Sequence, residues 1–254
     1  MTVTKRHLMS EMGLRLWRSG EHLEGTADVV HELCVPGTEQ LRTSVLVLWV
    51  DLVCGLLTSF GVTPRVPVTL ELSLEMFATA RLNGTVGLSG RVVKSGSAVT
   101  HAEVEVRVDG MPAGLGSASF MLAPDVTLVL PDTDEMLRTL EGGDRLLATP
   151  YAERLGCERR QPGTAWLPRT DDTANASRTI HGGVIALAAE EAVLSAEPAG
   201  SNVEAMTLRY LRPARVGPAV ATAVPFGALW RVEIRDAGAG DRPCVLTTVR
   251  TARL

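Results

Sequence analysis

Residues 44–60 read SVLVLWVDLVCGLLTSF, an almost wholly apolar run with a single carboxylate, Asp51, near its centre. A helix that is apolar on nearly all sides is normally enclosed by other elements and not laid on a surface. The run is shorter than the ~20 residues that a bilayer span requires. We therefore expect a core helix of a globular protein, with one buried acid that needs an explanation.

The pattern of this helix recurs in the second half of the chain. The segment VIALAAE (184–190) aligns with VLVLWVD (45–51), which places Glu190 at the position of Asp51, 139 residues earlier. The strands that follow the two helices align with a similar offset, 136 residues. A recurrence at a constant spacing predicts an internal duplication. The 254 residues then divide into two copies of a β–α–ββββ unit.

Strand patterns surround both helices. Four segments with alternating polar and apolar residues, separated by Gly-rich or polar turns, follow each helix, as in an antiparallel meander. One sheet cannot cover a helix that is apolar on several faces, so the two copies must pack together. We predict an α+β fold with repeats at 1–122 and 148–254, which form an intramolecular pseudo-dimer. The acidic linker 123–147 contains one short helix (133–140), and 151–160 is predicted as a strand.

Composition excludes several classes of function. With 25 basic and 29 acidic residues, the net charge of -4 gives no electrostatic footprint for nucleic acid. The four cysteines lie far apart, so neither a disulfide framework nor a zinc site is expected and a reducing cytoplasm fits best. Residues 1–17 lack the apolar core and the cleavage site of a secretory signal. We therefore expect a cytoplasmic protein without a membrane partner.

Asp51 is the only charged residue between Arg42 and Arg65. Burying a carboxylate among apolar neighbours costs several kcal/mol unless the carboxylate is paired or protonated. Carboxylates in such places are candidate general bases, although an acid that hydrogen-bonds a backbone group between two helices would satisfy the same pattern. Glu190 lies at the same helical depth in the second copy. Glu191 is rotated by about 100° from it and is expected to be solvated.

His181, Gly182 and Gly183 lie where the second apolar helix begins. The amides of a first helical turn are free, and the helix dipole is positive at this end. Such a helix start can bind a carbonyl oxygen and stabilise the oxyanion that forms from it, and glycines let a ligand approach the backbone. The simpler alternative is a glycine-rich helix start in which His181 only packs or caps.

The surroundings of this motif carry a family resemblance. Asn175 lies six residues before His181, Glu190 lies nine after it, and the strand LRYLRPARVGPAV (208–220) follows. This order resembles the PaaI-type hotdog-fold acyl-CoA thioesterases, with an Asn, a His-Gly-Gly, a helix carboxylate and then a Y-x-x-P-A-x-x-G strand. The strand residues that match are Tyr210, Pro213, Ala214 and Gly217. Arg178 departs from the family, which has Gly there, and Glu190 stands where Asp is commoner.

The resemblance implies two hotdog repeats in one chain and hydrolysis of an acyl-CoA or acyl-carrier-protein thioester. It implies no metal and no cofactor beyond the coenzyme A of the substrate. It also implies a composite site, in which Asn175, His181 and Gly182 of the second copy face Asp51 of the first. The Gly182 amide would polarise the thioester carbonyl, with Gly183 beside it. Asp51 would act as base or nucleophile, Asn175 would position the water or the carboxylate, and His181 would shape the loop.

The opposite site is expected to be degenerate. It would pair Glu190 with Arg42 and Thr43, which stand in place of His-Gly. The resemblance therefore predicts one competent site per chain, at Asp51, with Glu190 as a reserve acid and Arg42 and Thr43 as substrate contacts of the second site.

Less can be said about the rest of the substrate. Arg212 is a candidate for the phosphates of coenzyme A, and an apolar acyl pocket is suggested by three helix residues, Trp49, Leu52 and Leu56. Hotdog pairs commonly associate further, so a homo-oligomer is expected. Two alternatives keep the fold. One is an acyl-CoA or acyl-ligand binder without turnover, and the other is a hydratase or dehydratase, whose D-x-N-x-x-H pattern we do not find in the sequence.

Overall fold

A computed structural model of the protein describes residues 8–130, 132–140, 146–175 and 177–253. In these ranges the chain forms one continuous twelve-stranded antiparallel sheet around two long helices. The predicted repeat limits at residues 1 and 254, and part of the predicted linker, lie outside the described residues. The predicted α+β arrangement, with long helices enclosed by antiparallel strands, is confirmed.

The first half contains the helix that carries Asp51 and six strands. Its elements are β1 (Arg15–Ser19), β2 (His22–Asp28), α1 (Thr43–Val62), β3 (Pro67–Met76), β4 (Thr85–Ser95), β5 (Thr100–Val108) and β6 (Met111–Leu122), with short 3-10 turns at Leu8–Glu11 and His31–Leu33. The short helix predicted after β6 is present as α2 (Thr133–Leu140), which packs against α1 and β1.

The second half repeats this order. Its elements are α3 (Tyr151–Arg154), β7 (Glu158–Gln161), β8 (Thr164–Leu167), α4 (Gly182–Ala196), β9 (Ser201–Tyr210), β10 (Ala219–Phe226), β11 (Leu229–Asp236) and β12 (Arg242–Arg253), with a 3-10 turn at Ala237–Ala239. The predicted strand at 151–160 is wrong in its first part, because Tyr151–Arg154 is a helical turn. Tyr151 and Leu155 are both buried, and their spacing of four residues places them on one helical face.

The order of strands in the sheet records the duplication. It runs β1-β2-β4-β5-β6-β3-β9-β12-β11-β10-β8-β7, so the second half of the order mirrors the first. The central strands β3 and β9 pair antiparallel and place Leu72 opposite Leu208. These two residues are 136 positions apart, which is the offset found between the repeats. The two copies therefore share one sheet, and their helices lie side by side within it.

Both long helices form the core of the protein. α1 packs against β3, β4, β5, β6 and α4, and most of its residues are buried. By length and composition α1 is apolar enough to cross a membrane, so the expectation that the run is too short for a span was wrong. The helix is longer than the apolar run 44–60, because Thr43 joins it at one end and Gly61 and Val62 join it at the other. Its burial by the sheet identifies it as a core helix.

Candidate active site

Asp51 and the His-Gly-Gly segment, 130 residues apart in sequence, meet across the two copies. The Gly183 N–H donates a hydrogen bond of 2.8 Å to Asp51 Oδ2. Nδ1 of His181 lies 3.4 Å from the same oxygen, and the Asp51 side chain is only 5% exposed. A carboxylate at a helix N-terminus is stabilised by the free amides and by the dipole. The buried acid of α1 is thus satisfied at the start of α4.

His181 is the N-cap of α4. Its Nδ1 accepts a hydrogen bond of 3.2 Å from the Gly183 N–H, and its backbone is extended immediately before the first helical residue. A side-chain acceptor at this position satisfies one of the orphan amides of the first turn. The side chain is 20% exposed, so the imidazole links the buried acid to the surface.

Gly183 is required by the close packing of α1 and α4, and a side chain at Gly182 would be tight. A Cβ on Gly183 would lie 2.7 Å from the backbone Cα of Leu48, and a Cβ on Gly182 would lie 3.1 Å from Asp51 Oδ2. Contacts as short as the first do not occur between real side chains and backbone. The glycines therefore let the start of α4 approach the acid, a helix–helix requirement that we did not foresee from the sequence.

Thr69 is a site residue that the sequence did not reveal. It lies on β3, and its hydroxyl donates a hydrogen bond of 3.1 Å to Asp51 Oδ1. Each carboxylate oxygen of Asp51 therefore has its own donor, one from β3 and one from Gly183. The sequence indicated only that a polar residue of the strand after α1 could face Asp51. Nothing in the sequence fixed which residue of β3 would face Asp51.

We expect Thr69→Val to lower kcat for the reaction proposed below about 10- to 100-fold, with little change in KM. The hydroxyl holds the carboxylate in one orientation, and general-base catalysis depends on that orientation. Steady-state kinetics measures the split between kcat and KM. Thr69→Ser keeps the hydroxyl and serves as the matched control, which should retain most of the activity. Equal losses in the two variants would show that the hydroxyl is not what matters.

Tyr210 fixes the other side of the His-Gly-Gly segment. Its hydroxyl donates a hydrogen bond of 2.9 Å to the carbonyl oxygen of Gly182. Burial, and next the negative charge of Asp51, hold the pKa of Tyr210 well above its usual range. The phenol therefore remains a donor at physiological pH, and the Tyr that the family resemblance singled out positions the backbone beside Asp51.

Asn175 organises its own loop and does not contact the acid. Its Oδ1 accepts hydrogen bonds from the N–H of Ser177 (3.0 Å), and from the N–H (3.1 Å) and hydroxyl (3.2 Å) of Thr179. Among the described residues, no hydrogen bond joins Asn175 to Asp51. The expectation that Asn175 positions the water or the carboxylate is therefore still a prediction, and the contacts observed are those of a loop-shaping residue.

Arg178 departs from the family pattern without disturbing the loop. It has φ 58°, in the left-handed region that glycine occupies at little cost. The backbone conformation expected of the family glycine is thus present here with an arginine. Its side chain is exposed, so the substitution adds a positive charge at the surface of the loop that precedes α4.

The segment after β9, which carries the Tyr-x-x-Pro-Ala-x-x-Gly pattern, is hydrogen-bonded to the loop that precedes α4. The Ile180 N–H donates to the carbonyl of Ala214 at 2.9 Å, which ties the chain before His181 to the segment after β9. Asp236, 2% exposed, accepts three backbone N–H bonds from this segment, which are those of Arg215, Val216 and Gly217. A buried carboxylate with three donors is well satisfied, so the wall beside the site is rigidly held.

The second acid lies in the pseudo-symmetric position but has different neighbours. Glu190 accepts hydrogen bonds from the N–H of Ser44 (3.0 Å) and from its hydroxyl (2.7 Å). Ser44 is 139 positions before Gly183, so the contact repeats that of Asp51. Glu190 also pairs with Arg42 Nη1 at 2.9 Å, and both side chains are fully buried. An internal cation therefore neutralises this acid.

Glu191 completes the ion cluster, and the expectation that it is solvated was wrong. It is 4% exposed and binds both Arg42 Nη1 and Arg159 Nε. Burial alone would raise the pKa of Glu191, but Arg42 and Arg159 more than offset this and hold it below its usual value. The helical wheel placed Glu191 correctly, away from Glu190, but the edge strand β7 covers that face of α4.

Three residues expected to contact substrate have different surroundings. Arg42 is enclosed in the ion cluster, and Thr43, 2% exposed, donates its hydroxyl proton to the carbonyl of Val203. Arg42 reaches no surface, whereas Thr43 lines a depression open to solvent together with Leu46 and Met76. A substrate-binding role for either residue stays a prediction. Arg212 is exposed in the loop after β9, where Nη1 donates to the carbonyl of Pro243 at 3.1 Å. It is free to meet a phosphate, and this role stays a prediction.

The described residues offer neither a metal-binding cluster nor an exposed cysteine thiol. In the part of the chain that the structure describes, no cluster of three His, Cys, Asp or Glu side chains could hold a metal ion. All four cysteines are free and buried. Burial, and next the charge of Glu191, raise the pKa of Cys157 to about 12. Thiolate chemistry at this residue is therefore disfavoured at neutral pH.

Comparison with known proteins extends the description of the fold. No family profile matches the sequence, and no curated protein does. Solved structures are similar over nearly their whole length. The 12:0-ACP thioesterase from Umbellularia californica is 12% identical with a TM-score of 0.64, and the match covers 93% of this chain and 99% of that one. For an acyl-ACP thioesterase from Bacteroides thetaiotaomicron the identity is 12%, the TM-score 0.63 and the coverage 91% and 98%.

A third similar structure is the tesB protein of Mycobacterium avium subspecies paratuberculosis. It is 12% identical, with a TM-score of 0.60, and the match covers 96% of this chain and 97% of that one. At such low identity the likeness establishes architecture, because the same fold serves different chemistries. By its fold, therefore, the chain is a double-hotdog protein, with two hotdog units in one polypeptide.

Proposed function

We propose that the protein hydrolyses an acyl thioester at the site where Asp51 meets the start of α4. The observation that carries this proposal is the 2.8 Å hydrogen bond from the Gly183 N–H to Asp51 Oδ2. It fixes a carboxylate from one copy beside a helix N-terminus of the other. A base and a set of orphan amides are thereby brought to one place, which is what acyl transfer to water needs.

Each group then has a chemical role. Asp51 removes a proton from water as the water oxygen attacks the thioester carbonyl carbon. The first amide of α4, that of Gly182, is not needed within the helix and stabilises the oxygen that gains charge. The tetrahedral intermediate then expels the thiolate, which takes the proton from Asp51, so that the carboxylic acid and the thiol are released and Asp51 is again a carboxylate. Thr69 and Gly183 orient Asp51 throughout.

We propose an acyl-CoA or acyl-carrier-protein thioester as the substrate. Two of the similar structures are thioesterases for acyl carrier protein by name, so both carriers belong in the test. The reaction uses water, the Asp51 carboxylate and the backbone amide of Gly182, and it calls for no cofactor besides the coenzyme A that a substrate brings. The four free cysteines fit a reducing cytoplasm, and further association of the double-hotdog chain into a homo-oligomer is part of the proposal.

One site per chain carries the activity in this proposal. The acid of the other site, Glu190, is neutralised by the buried Arg42, and Thr43 and Ser44 replace the glycines. Glu190 is fully buried, and its two oxygens accept hydrogen bonds from Ser44 and Arg42, so this acid is closed to water and substrate. Titration of active sites with a slowly released or covalent acyl analogue should give one equivalent per chain.

The direct test is thiol release by the purified protein. A panel of acyl-CoA and acyl-carrier-protein thioesters is incubated with the protein, and the free thiol is measured with a chromogenic disulfide. We expect turnover with at least one acyl series, faster than in buffer by several orders of magnitude. Tight binding of acyl-CoA without thiol release would contradict the proposal and favour the acyl-binding alternative.

A further inference from the structure

The start of α1 borders a depression that the reaction proposed above does not use. It contains about 350 Å³ of empty space, part of it open to solvent, and its walls include Thr43, Met76 and Asn202. Thr43 is 139 positions before Gly182, so the depression lies at the first copy's counterpart of the site at Asp51. We propose that it is a second, non-catalytic binding site, which takes a neutral ligand with a secondary amide group. The proposal does not depend on the reaction assigned to Asp51.

Asn202, on β9, is the residue that points to a ligand. It lines the depression, it is 7% exposed, and its Oδ1 has no hydrogen-bond partner within the part of the chain that the structure describes. A buried amide oxygen without a donor has lost its contact with water and has gained no hydrogen bond in exchange, which destabilises the folded protein. A ligand N–H in the depression would supply the missing donor.

The counterpart of Asn202 in the first copy is apolar. The offset of 136 residues that relates Leu72 to its partner Leu208 relates Val66 to Asn202. Val66 is 6% exposed, so an apolar side chain suits a buried position of this kind. The fold therefore does not demand an amide at residue 202, and the amide is found only beside the depression at the start of α1.

The start of α1 supplies the complementary donor. The N–H of Thr43 is the first amide of the helix and is not needed for hydrogen bonds within it. The Thr43 hydroxyl is occupied by the carbonyl of Val203, and the next amide, that of Ser44, is occupied by Glu190. A secondary amide carries one acceptor and one donor. Its carbonyl oxygen can therefore accept from the Thr43 N–H while its own N–H donates to Asn202 Oδ1.

The charges around the depression favour a neutral ligand. Glu204 also lines it, and Arg250 Nε lies 3.5 Å from the Glu204 carboxylate. An anion would meet the oxygens of Asn202 and Glu204, whereas a cation would meet Arg250 and the positive end of the α1 dipole. Two buried side chains of the lining, Leu46 and Met76, offer apolar surface to an aliphatic group beside the amide. An aliphatic secondary amide therefore matches both the polar and the apolar groups.

Two probes represent the two sources of such an amide. Pantetheine carries the secondary amides of the thiol arm of coenzyme A and acyl carrier protein, and acetyl-leucine-methylamide carries those of a peptide. Binding to the purified protein is measured by saturation-transfer NMR and by isothermal titration calorimetry, neither of which requires turnover. We expect at least one probe to bind with a dissociation constant between micromolar and millimolar, as suits ligands of this size. Binding of neither probe would overturn the proposal.

The variant that tests the site is Asn202→Val, and its matched control is Thr247→Val. Thr247, on β12, is 3% exposed, and its hydroxyl also has no hydrogen-bond partner among the described residues, but it does not line the depression. Each variant removes one unsatisfied buried oxygen, so neither should lower the melting temperature. We expect Asn202→Val to weaken binding about 10-fold or more, and Thr247→Val to leave it unchanged. Equal binding by wild type and Asn202→Val would overturn the proposal. The probe whose binding depends on Asn202 identifies the source of the amide.

A second variant, Ala78→Trp, covers the case in which Asn202→Val folds poorly. Ala78 lines the depression and is itself exposed, so a tryptophan there adds bulk to the depression without entering the core. We expect Ala78→Trp to weaken binding of the same probe, and unchanged binding would contradict the proposed site. Thiol release is measured in parallel on both variants and should stay within about two-fold of wild type. Its loss in both would show that the depression takes part in the reaction and is not a separate site. If the wild type binds the probe but releases no thiol, only the function proposed for Asp51 fails.

Discussion

Replacement of Asp51 by asparagine is expected to lower kcat/KM for thioester hydrolysis about 10³-fold, within the range that a general base contributes. Asparagine has nearly the same shape as aspartate. Its Oδ1 can still accept the Gly183 N–H, and its amide can donate to the Thr69 hydroxyl, so both contacts of the carboxylate are preserved. The variant therefore removes the negative charge and the basic oxygen while the surrounding structure is retained.

The matched control is Glu190→Gln, at the pseudo-symmetric position. Its amide oxygen can accept from Ser44 or Arg42, and we expect activity within about three-fold of wild type, since this acid takes no part in the reaction. Both variants are measured by thiol release, and far-ultraviolet circular dichroism verifies the fold. Full activity in Asp51→Asn together with loss in Glu190→Gln would move the site to the other copy and contradict our assignment.

The fold was largely predictable because its determinants are local and repeated. The apolar residues of α1 and α4 define both helices, and alternation marks the strands that follow. The similar offsets between the copies, 139 and 136 residues, predicted the duplication, and the mirrored order of the sheet, with Leu72 opposite Leu208 at its centre, is its structural counterpart. Duplication makes one local prediction apply twice. The error at Tyr151–Arg154 arose where a single helical turn was too short to show its periodicity.

The site was predictable only in part, because its contacts join distant elements. The acid and the His-Gly-Gly segment could be named from the sequence, and the resemblance implied that they face each other. Thr69 could not be named, since several β3 residues were equally suitable and only the register of the sheet selects one. The need for Gly183 depends on how closely two helices approach, measured here at Leu48. Such distances are properties of packing and leave no pattern in the chain.

The ion pair between Arg42 and Glu191 also could not be predicted from the sequence. Arg42 was read as a degenerate histidine and Glu191 as a solvated acid, since each has ordinary neighbours in the sequence. In the structure they bind each other across 149 positions. At the position of His181 the first copy therefore places a buried cation, which pairs with the two acids of α4.

Replacement of Arg42 by methionine is expected to destabilise the protein by about 3–5 kcal/mol at neutral pH, the typical effect of leaving a buried charge without its partner. Arg42 is fully buried and binds both Glu190 and Glu191 through Nη1. Methionine retains an unbranched side chain but leaves two buried carboxylates with one fewer cation. Urea unfolding followed by fluorescence or circular dichroism measures the loss in the free energy of unfolding.

The pH dependence of the effect follows from Glu191. In the wild type its pKa is held below the unfolded value, so the ionised carboxyl contributes stability above about pH 4.3, and this is lost as pH falls through the lower folded pKa. Without Arg42, burial dominates and the pKa of Glu191 is expected to rise above the unfolded value. Stability is then favoured by protonation and lost as pH rises. The destabilisation by Arg42→Met should therefore be largest at neutral pH and smaller near about pH 4.

The control for this variant is Arg159→Met, which removes the other cation that binds Glu191. Arg159 is 41% exposed, and an exposed ion pair contributes only about 0–1 kcal/mol. A further variant combines Arg42→Met with Glu190→Gln and Glu191→Gln, and it should recover much of the lost stability, because no buried charge is left unpaired. If Arg42→Met and Arg159→Met were equally mild, the cluster would not be a buried ion pair in solution. If the combined variant were no more stable than Arg42→Met, the loss would come from packing and not from charge.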